Sequence, residues 1–352
     1  MVKGSTVHVI GTGTIGEPLV ALLARHRKEL GLDEVTFYKH TPRKEDRPML
    51  RILEGLGARL SVAKETKKEF DQLGLRPAFV HEDALARARV VIDCTPEDSG
   101  LENKERLYKP LDDGSRRFLA QGSEAGFGKR YALGVNDDAI DDGDRFVHVV
   151  SCNTHSIANV IQNAGLRAGG GLEWGHFVCI RRASDVNEEK GIGAPTVDKH
   201  GEEHGTHHAE DVHELFKTRG DALDVFSSAL KLPTQYMHTL HFHLRTRNTV
   251  TRDAVLKAFK EDPYAALTDK RSTNRVFSFG RDHGFFGRIL NQTVVCSSTV
   301  AAKGDREVVG FAFTPQDGNA LLSNVAMAVR TVDPDGWKKR LDPLRAYLFK
   351  EV

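Results

Sequence analysis

The feature that most constrains this chain is a glycine turn near its start. A β-rich run, Thr6 to Ile10, ends at Gly11-Thr12-Gly13-Thr14-Ile15-Gly16, and an apolar helical pattern through Leu19, Leu22 and Leu23 follows. A second β-rich run, Val35 to Tyr38, comes after Gly31, which is placed to cap that helix. A lone GxGxxG is a weak signal, but one held between a strand and a helix is a stronger one. Glycines there allow a tight turn and a close backbone approach to a pyrophosphate, whose charge is met by amides at the helix start. Gly11, Gly13, Thr14, Ile15 and Gly16 are therefore expected to line a dinucleotide site. NAD-preferring sites usually end the second strand on Asp or Glu. Here the strand runs into Lys39-His40-Thr41-Pro42-Arg43, with cations in place of the carboxylate. Lys39 and Thr41 thus point to a 2′-phosphate, and to NADP ahead of NAD. The bland alternative is a solvated basic turn.

Three further runs read as buried parallel strands: Val90-Val91-Ile92 before Asp93, Phe118 to Ala120 before Gln121-Gly122, and Phe146 to Val150 before Ser151-Cys152. Strands alternating with helices imply an α/β fold with a Rossmann-like parallel sheet over residues 1–151. At 352 residues the chain is too long for one ordinary core. Beyond Cys152, helical spacing (Ile157, Val160, Ile161, Ala164) stops at Gly169-Gly170-Gly171, and then strands dominate: Phe177 to Ile180, His238 to Leu244, Leu290 to Cys296 and Val308 to Thr314. The expectation for 152–318 is an α+β catalytic domain with a large mixed or antiparallel sheet, whose open face suits a subunit interface. Ser184 to Glu214, polar and rich in Gly and His, reads as an extended loop. Asn319 to Arg330 reads as a helix in a 319–352 segment that returns to the first domain.

Lys plus Arg number 50 and Asp plus Glu 49, so no charge excess draws the chain to nucleic acid or a membrane surface. No stretch approaches a membrane-spanning length. Cys94, Cys152, Cys179 and Cys296 are dispersed without a CxxC pair, which argues against a zinc ribbon or redox dithiol and fits a reducing cytoplasm. Cys179, inside Phe177-Val178-Cys179-Ile180, reads as structural. Cys152 is different: it follows a strand and begins a helix, where amides and the helix dipole raise the thiolate fraction. The spacing of His204, His207, His208 and His213 matches no established ligand set, so no metal is expected. As a strand, 238–245 places His238, Leu240, Phe242 and Leu244 on one face. A His on an apolar face is often just a hydrogen-bonded core residue.

Ser151-Cys152-Asn153-Thr154 resembles the active-site signature of the archaeal-type (type II) glyceraldehyde-3-phosphate dehydrogenases. The glycine turn, Asp93-Cys94-Thr95-Pro96-Glu97 with Gly100 and Asn103-Lys104, and Gln121-Gly122 are similar to that family's first domain. Arg181-Arg182-Ala183-Ser184-Asp185, His207-His208-Ala209-Glu210-Asp211-Val212, and Leu232-Pro233-Thr234 running to Met237-His238 resemble its second. Order and spacing agree from residue 7 to about 244, and more loosely to about 330. The resemblance implies a phosphorylating aldehyde dehydrogenase that makes a thioester on Cys152, with His238 as general base. It implies glyceraldehyde 3-phosphate and inorganic phosphate as small-molecule partners, and a cytoplasmic homotetramer. Substrate and phosphate would be held by Ser151, Asn153, Thr154, Arg181 or Arg182, His207 and His208. Thr95, Pro96, Gln121, Gly122, Gln316 and Asn324 would join the cofactor site. Departures fall beside these positions. His155-Ser156 stands where the family shows Thr-Gly, and Pro315-Gln316-Asp317-Gly318 where it shows His-Gln-Glu-Ser. Two alternatives follow: the same thiol chemistry on another acyl phosphate or semialdehyde, or a non-catalytic NADP-binding sensor.

Overall fold

A computed structural model describes residues 4–96, 98–122, 124–184, 193–315 and 317–352. They form two compact units. The first comprises Met1–Lys129, Ile140–Val149 and Ser323–Pro343; the second comprises Arg130–Ala139, Val150–Leu322 and Leu344–Val352. Compared with a division at 1–151, 152–318 and 319–352, the second unit thus takes in 130–139 and the final 344–352.

Through the first unit, strand and helix alternate: β1 (Thr6–Ile10), α1 (Gly16–Arg25), β2 (Glu34–Tyr38), α2 (Arg47–Gly55), β3 (Arg59–Val62), α3 (Lys67–Gln72), β4 (Phe79–Val80), α4 (His81–Arg87), β5 (Val90–Asp93), α5 (Ser99–Asn103), β6 (Arg117–Gly122) and, after β7 (Lys129–Tyr131), most of which belongs to the second unit, β8 (Phe146–Val150). The sheet order is β4-β3-β2-β1-β5-β6-β8-β7. β1 pairs in parallel with β2 and β5, and β5 with β6. β1 and β5 are buried along their whole length; β5 accordingly opens as an apolar run, Val90-Val91-Ile92, whereas β1 carries Thr6 and His8 inside. α1 ends at Arg25, short of Gly31, because its apolar pattern stops at Ala24 and His26 to Glu29 are polar. Gly31, at φ +73°, turns the connection to β2 instead of capping the helix.

The second unit continues with α6 (Cys152–Val160), a π-helical stretch (Ile161–Ala168), β9 (Leu172–Arg181), β10 (Thr196–Val197), α7 (His207–Lys217), β11 (Val225–Lys231), β12 (His238–Thr246), α8 (Arg252–Glu261), β13 (Ala265–Thr268), α9 (Thr273–His283), β14 (Thr293–Cys296), β15 (Ala301–Lys303) and β16 (Glu307–Thr314). α10 (Gly318–Val332) follows, and α11 (Trp337–Arg340) lies in the first unit. The sheet runs β10-β11-β9-β12-β16-β14-β13 and is mixed: β9/β11 and β13/β14 are parallel, β9/β12 and β12/β16 antiparallel. Burial alternates strictly along β12, with His238, Leu240, Phe242, Leu244 and Thr246 inside. Their face packs on a core shared with Ile157 and Ala158 of α6, Val212 and Phe216 of α7, and Phe259 of α8. The opposite face keeps His241 and Phe311 partly exposed. The expected loop from Ser184 to Glu214 contains β10 and most of α7. Ala209, Val212, Leu215 and Phe216 recur at helical spacing and are buried, which overrides the polar composition around them.

Candidate catalytic thiol and nucleotide loop

Ser151 hands β8 to α6 and caps the helix. Its backbone is extended, its side-chain oxygen accepts the amide of Thr154 at 3.4 Å, and its hydroxyl lies 2.9 Å from the Thr154 hydroxyl. That cap makes Cys152 the first helical residue, half-buried at the positive end of the helix dipole. Asn319, fully buried at the start of α10, donates from Nδ2 to the Cys152 carbonyl (3.0 Å) and to that of Gln292 (3.1 Å). Both neighbours of Cys152 reach buried His208: the Ser151 hydroxyl lies 3.4 Å from Nδ1, and Asn153 Nδ2 lies 3.4 Å from Nε2. Thr314 donates to Asn153 Oδ1 at 3.2 Å and is the cross-strand partner of His238. Nucleophile candidate, paired histidines and His238 are thus tied through residues of one unit.

The two arginines diverge. Arg181 continues the Phe177 and Cys179 face of β9, is partly exposed and pairs with Asp198 at 2.9 Å, whereas Arg182, just past the strand, is buried and its backbone N–H donates to His238 Nδ1 at 3.0 Å. Burial, then Arg182, Arg181 and Lys231, hold the His238 pKa well below the ordinary histidine value. Burial, His207, Arg181 and His238 do the same to His208. His207 is exposed, its ring 4.0 Å from that of His208. His155 is buried and its Nδ1 donates to the Ser151 carbonyl at 2.9 Å. Cys179 is buried beneath the sheet, and burial pushes its thiol up, out of reactive range. Among the described residues, no three His, Cys, Asp or Glu side chains converge as a metal site requires.

The glycine turn of the first unit is built by close contact. A Cβ on Gly11 (φ +96°) would meet the Cys94 carbonyl at 2.7 Å, and one on Gly16 would strike the Gly11 carbonyl at 2.1 Å. Gly13 faces open space, with nothing within 4 Å of such an atom. Thr14 and Ile15 lie between them, and Ile15 is the residue before α1. Lys39 is ion-paired with Asp46 at 2.7 Å, a partner that a reading of 39–43 alone overlooks. Thr41 and Arg43 are exposed beside it. At the end of β5, Asp93 accepts from the Thr95 amide (2.9 Å) and hydroxyl, from Asn103 Nδ2 (2.9 Å) and from the Tyr108 hydroxyl, fixing the bend through Thr95 and Pro96. Gln121 Oε1 accepts from Asn324 Nδ2 at 3.0 Å, and Gly122 (φ +83°) has its carbonyl 2.9 Å from His148 Nε2. Gln316 lies outside the described residues. Sequence reasoning missed Asn319, Thr314 and Tyr108, which act through hydrogen bonds between distant segments; only the polar Gly318-Asn319 pair ahead of an apolar helical run hinted at a cap.

No protein-family model matches the chain. Several curated proteins named glyceraldehyde-3-phosphate dehydrogenase do resemble it. One from Pyrobaculum calidifontis is 29% identical over 306 residues, spanning 85% of this chain and 84% of the relative. One from Metallosphaera sedula is 29% identical over 333 residues, spanning 93% and 92%. One from Methanoregula boonei is 28% identical over 330 residues, spanning 91% and 90%. Over most of its length, therefore, the chain is similar to archaeal proteins that carry that name.

Proposed function

We propose that this chain is a nicotinamide-dependent aldehyde dehydrogenase that converts glyceraldehyde 3-phosphate and inorganic phosphate to 1,3-bisphosphoglycerate through a thioester on Cys152. One observation carries the reading: Cys152 opens a capped helix whose flanking residues bond a buried histidine. Cys152 as thiolate forms a C–S bond to the aldehyde carbon, giving a hemithioacetal. The oxidised nicotinamide, when bound, supplies the two-electron acceptor that turns this adduct into a thioester. Attack by phosphate on the thioester then releases acyl phosphate and regenerates the thiolate. His238 is the imidazole that serves the reacting carbon. Arg181, Ser151, Asn153, Thr154, His207 and His208 are the donors for the two anions, with Arg181 exchanging its contact with Asp198 for a phosphate. Arg182, buried through its side chain and committed through its backbone, is the less suited arginine.

The glycine turn fits a dinucleotide, because Gly13 leaves room for backbone approach while Gly11 and Gly16 hold the turn shut behind it. Thr95, Pro96, Gln121, Gly122 and Asn324 are the further cofactor residues of this reading, and Lys39 with Thr41 favours NADP over NAD. The partners are small molecules, the setting is the cytoplasm, and the assembly is a homotetramer formed through the open face of the second sheet. Replacing Cys152 with Ser is expected to abolish turnover and leave cofactor binding intact; full activity would exclude the thioester. Initial rates over phosphorylated and carboxylated aldehydes test the substrate, and no turnover of any phosphorylated aldehyde would overturn the assignment. Iodoacetamide at neutral pH should alkylate Cys152 well before Cys94, whose thiol is pushed up by burial and by Asp93. Equal rates would favour a non-catalytic binding protein.

A further inference from the structure

We propose that Asn319, at the start of α10, is a positioning residue for Cys152: its side-chain amide holds the Cys152 carbonyl and thereby fixes the direction from which the thiol meets an aldehyde. The inference rests on the proposed thiol chemistry and adds a residue to it. Asn319 is fully buried, and each of its polar atoms is engaged. Nδ2 donates to the Cys152 carbonyl at 3.0 Å and to the Gln292 carbonyl at 3.1 Å, while Oδ1 accepts the Ala320 amide at 2.8 Å. Carbonyls only accept, so the side chain has one possible orientation, with its nitrogen toward the Cys152 peptide.

The start of α10 is a fixed post because it lies against residues 288–292 at three successive positions. Arg288 reaches the Asp317 carboxylate at 3.4 Å. A Cβ on Gly318 would lie 1.9 Å from the Ile289 carbonyl, so the two backbones touch there. Asn319 then takes the Gln292 carbonyl. That segment is itself held from behind. The Gln292 amide donates to the Tyr264 carbonyl at 2.7 Å, and Asn291 exchanges two bonds of 2.9 Å with the backbone of Phe349. Gly318 stands where the resembled pattern has serine. The close approach accounts for that departure, since a serine Cβ has no room against Ile289.

Two side chains therefore bracket the thiol. Ser151 caps α6 and sets the peptide before Cys152; Asn319 sets the peptide after it. A carbonyl in the first turn of a helix already accepts the amide four residues on, and Asn319 occupies its second lone pair. With both peptide planes held, the sulfur keeps rotation about one side-chain bond only. Forming the C–S bond demands a defined approach of sulfur to the aldehyde carbon, and about 1 Å of misplacement costs about 10²-fold in rate. The hydrogen bonds of Asn319 go to backbone carbonyls, not to sulfur or to the anion donors. Its influence thus falls on the oriented step and not on substrate affinity.

The test compares the intact wild-type protein with Asn319→Ala and Asn319→Asp. It reads kcat and KM for glyceraldehyde 3-phosphate, and the pH profile of Cys152 alkylation by iodoacetamide. Asn319→Ala should lose about 10–10²-fold in kcat while KM stays within about twofold. Iodoacetamide needs no fixed approach, so the alkylation rate and profile should match wild type. Asn319→Asp keeps the shape and the oxygen that accepts the Ala320 amide, but it sets an acceptor against two carbonyls and should lose at least as much kcat. An unchanged kcat in Asn319→Ala, a rise in KM in place of the fall in kcat, or an alkylation profile that moves with kcat would overturn the inference. Should neither variant fold, hydrogen exchange in ¹⁵N-labelled wild type decides: both Asn319 side-chain amide protons should be protected, and fast exchange of either would overturn it. Wild type that turns over no aldehyde would refute the thiol reading itself, whereas active wild type beside an undiminished Asn319→Ala refutes only the role of Asn319.

Discussion

Ser151 is where chain geometry turns into reactivity. Its hydroxyl accepts the Thr154 amide and meets His208, so one side chain fixes both the helix start and a histidine beside the thiol. Ser151→Ala should lower stability by about 1 kcal/mol, read from the denaturation midpoint, as loss of an N-cap does. An unchanged midpoint would mean that the cap carries no load. Lys39 poses a different question, since Asp46 already holds it. Lys39→Ala should weaken NADP more than NAD, and Asp46→Asn, by releasing the lysine, should tighten NADP selectively. Equal effects on both dinucleotides in a binding titration would remove the 2′-phosphate argument. The residues of the thiol signature and the glycine turn were legible in the sequence because each lies within a short continuous motif. Asn319, Thr314 and Asp46 were not, because their partners are set by tertiary packing.

At the scale of elements, two buried polar clusters make predictions. On β1, His8 is fully buried with Nδ1 2.7 Å from the Thr36 hydroxyl, and its ring lies 5.5 Å from that of His81 at the start of α4. Burial lowers both pKa values below the ordinary 6.5; His81 adds to the effect on His8, and Glu82 and Asp93 only partly offset it at His81. The fold therefore keeps them neutral where an unfolded chain would take up protons. Stability is fully present above about pH 6.5 and should fall as the pH drops below it. Denaturation midpoints at pH 7.5 and 5.5 check this, and a midpoint independent of pH would contradict it. In the second unit, Asn159 and Asn163 both donate to Asp262 Oδ2, at 2.9 and 2.6 Å, where α6 widens into its π-helical stretch. Asp262→Ala strands two buried amides and should cost about 3 kcal/mol. The same scale explains what pattern reading achieves. β12 was legible because its period of two is strict, whereas α7 was hidden because histidines and acids surround its few apolar positions.

For the molecule as a whole, an N-terminal parallel sheet and a second, mixed sheet follow from the change in pattern at Cys152. The exchanged pieces 130–139 and 344–352 could not be read, since membership of a core depends on contacts far apart in sequence. Similarity to archaeal glyceraldehyde-3-phosphate dehydrogenases extends over most of the chain, while His155 and Asp317 stand where the sequence departs from that pattern. Substrate identity therefore rests on chemistry that can be measured. The most direct measurement omits phosphate. Protein, oxidised nicotinamide and glyceraldehyde 3-phosphate are mixed, reduced cofactor is followed optically, and the protein is then digested and weighed. The account predicts a burst of one reduced cofactor per chain and a 3-phosphoglyceryl group on the peptide containing Cys152. No burst, or an acyl group on any other residue, would contradict it.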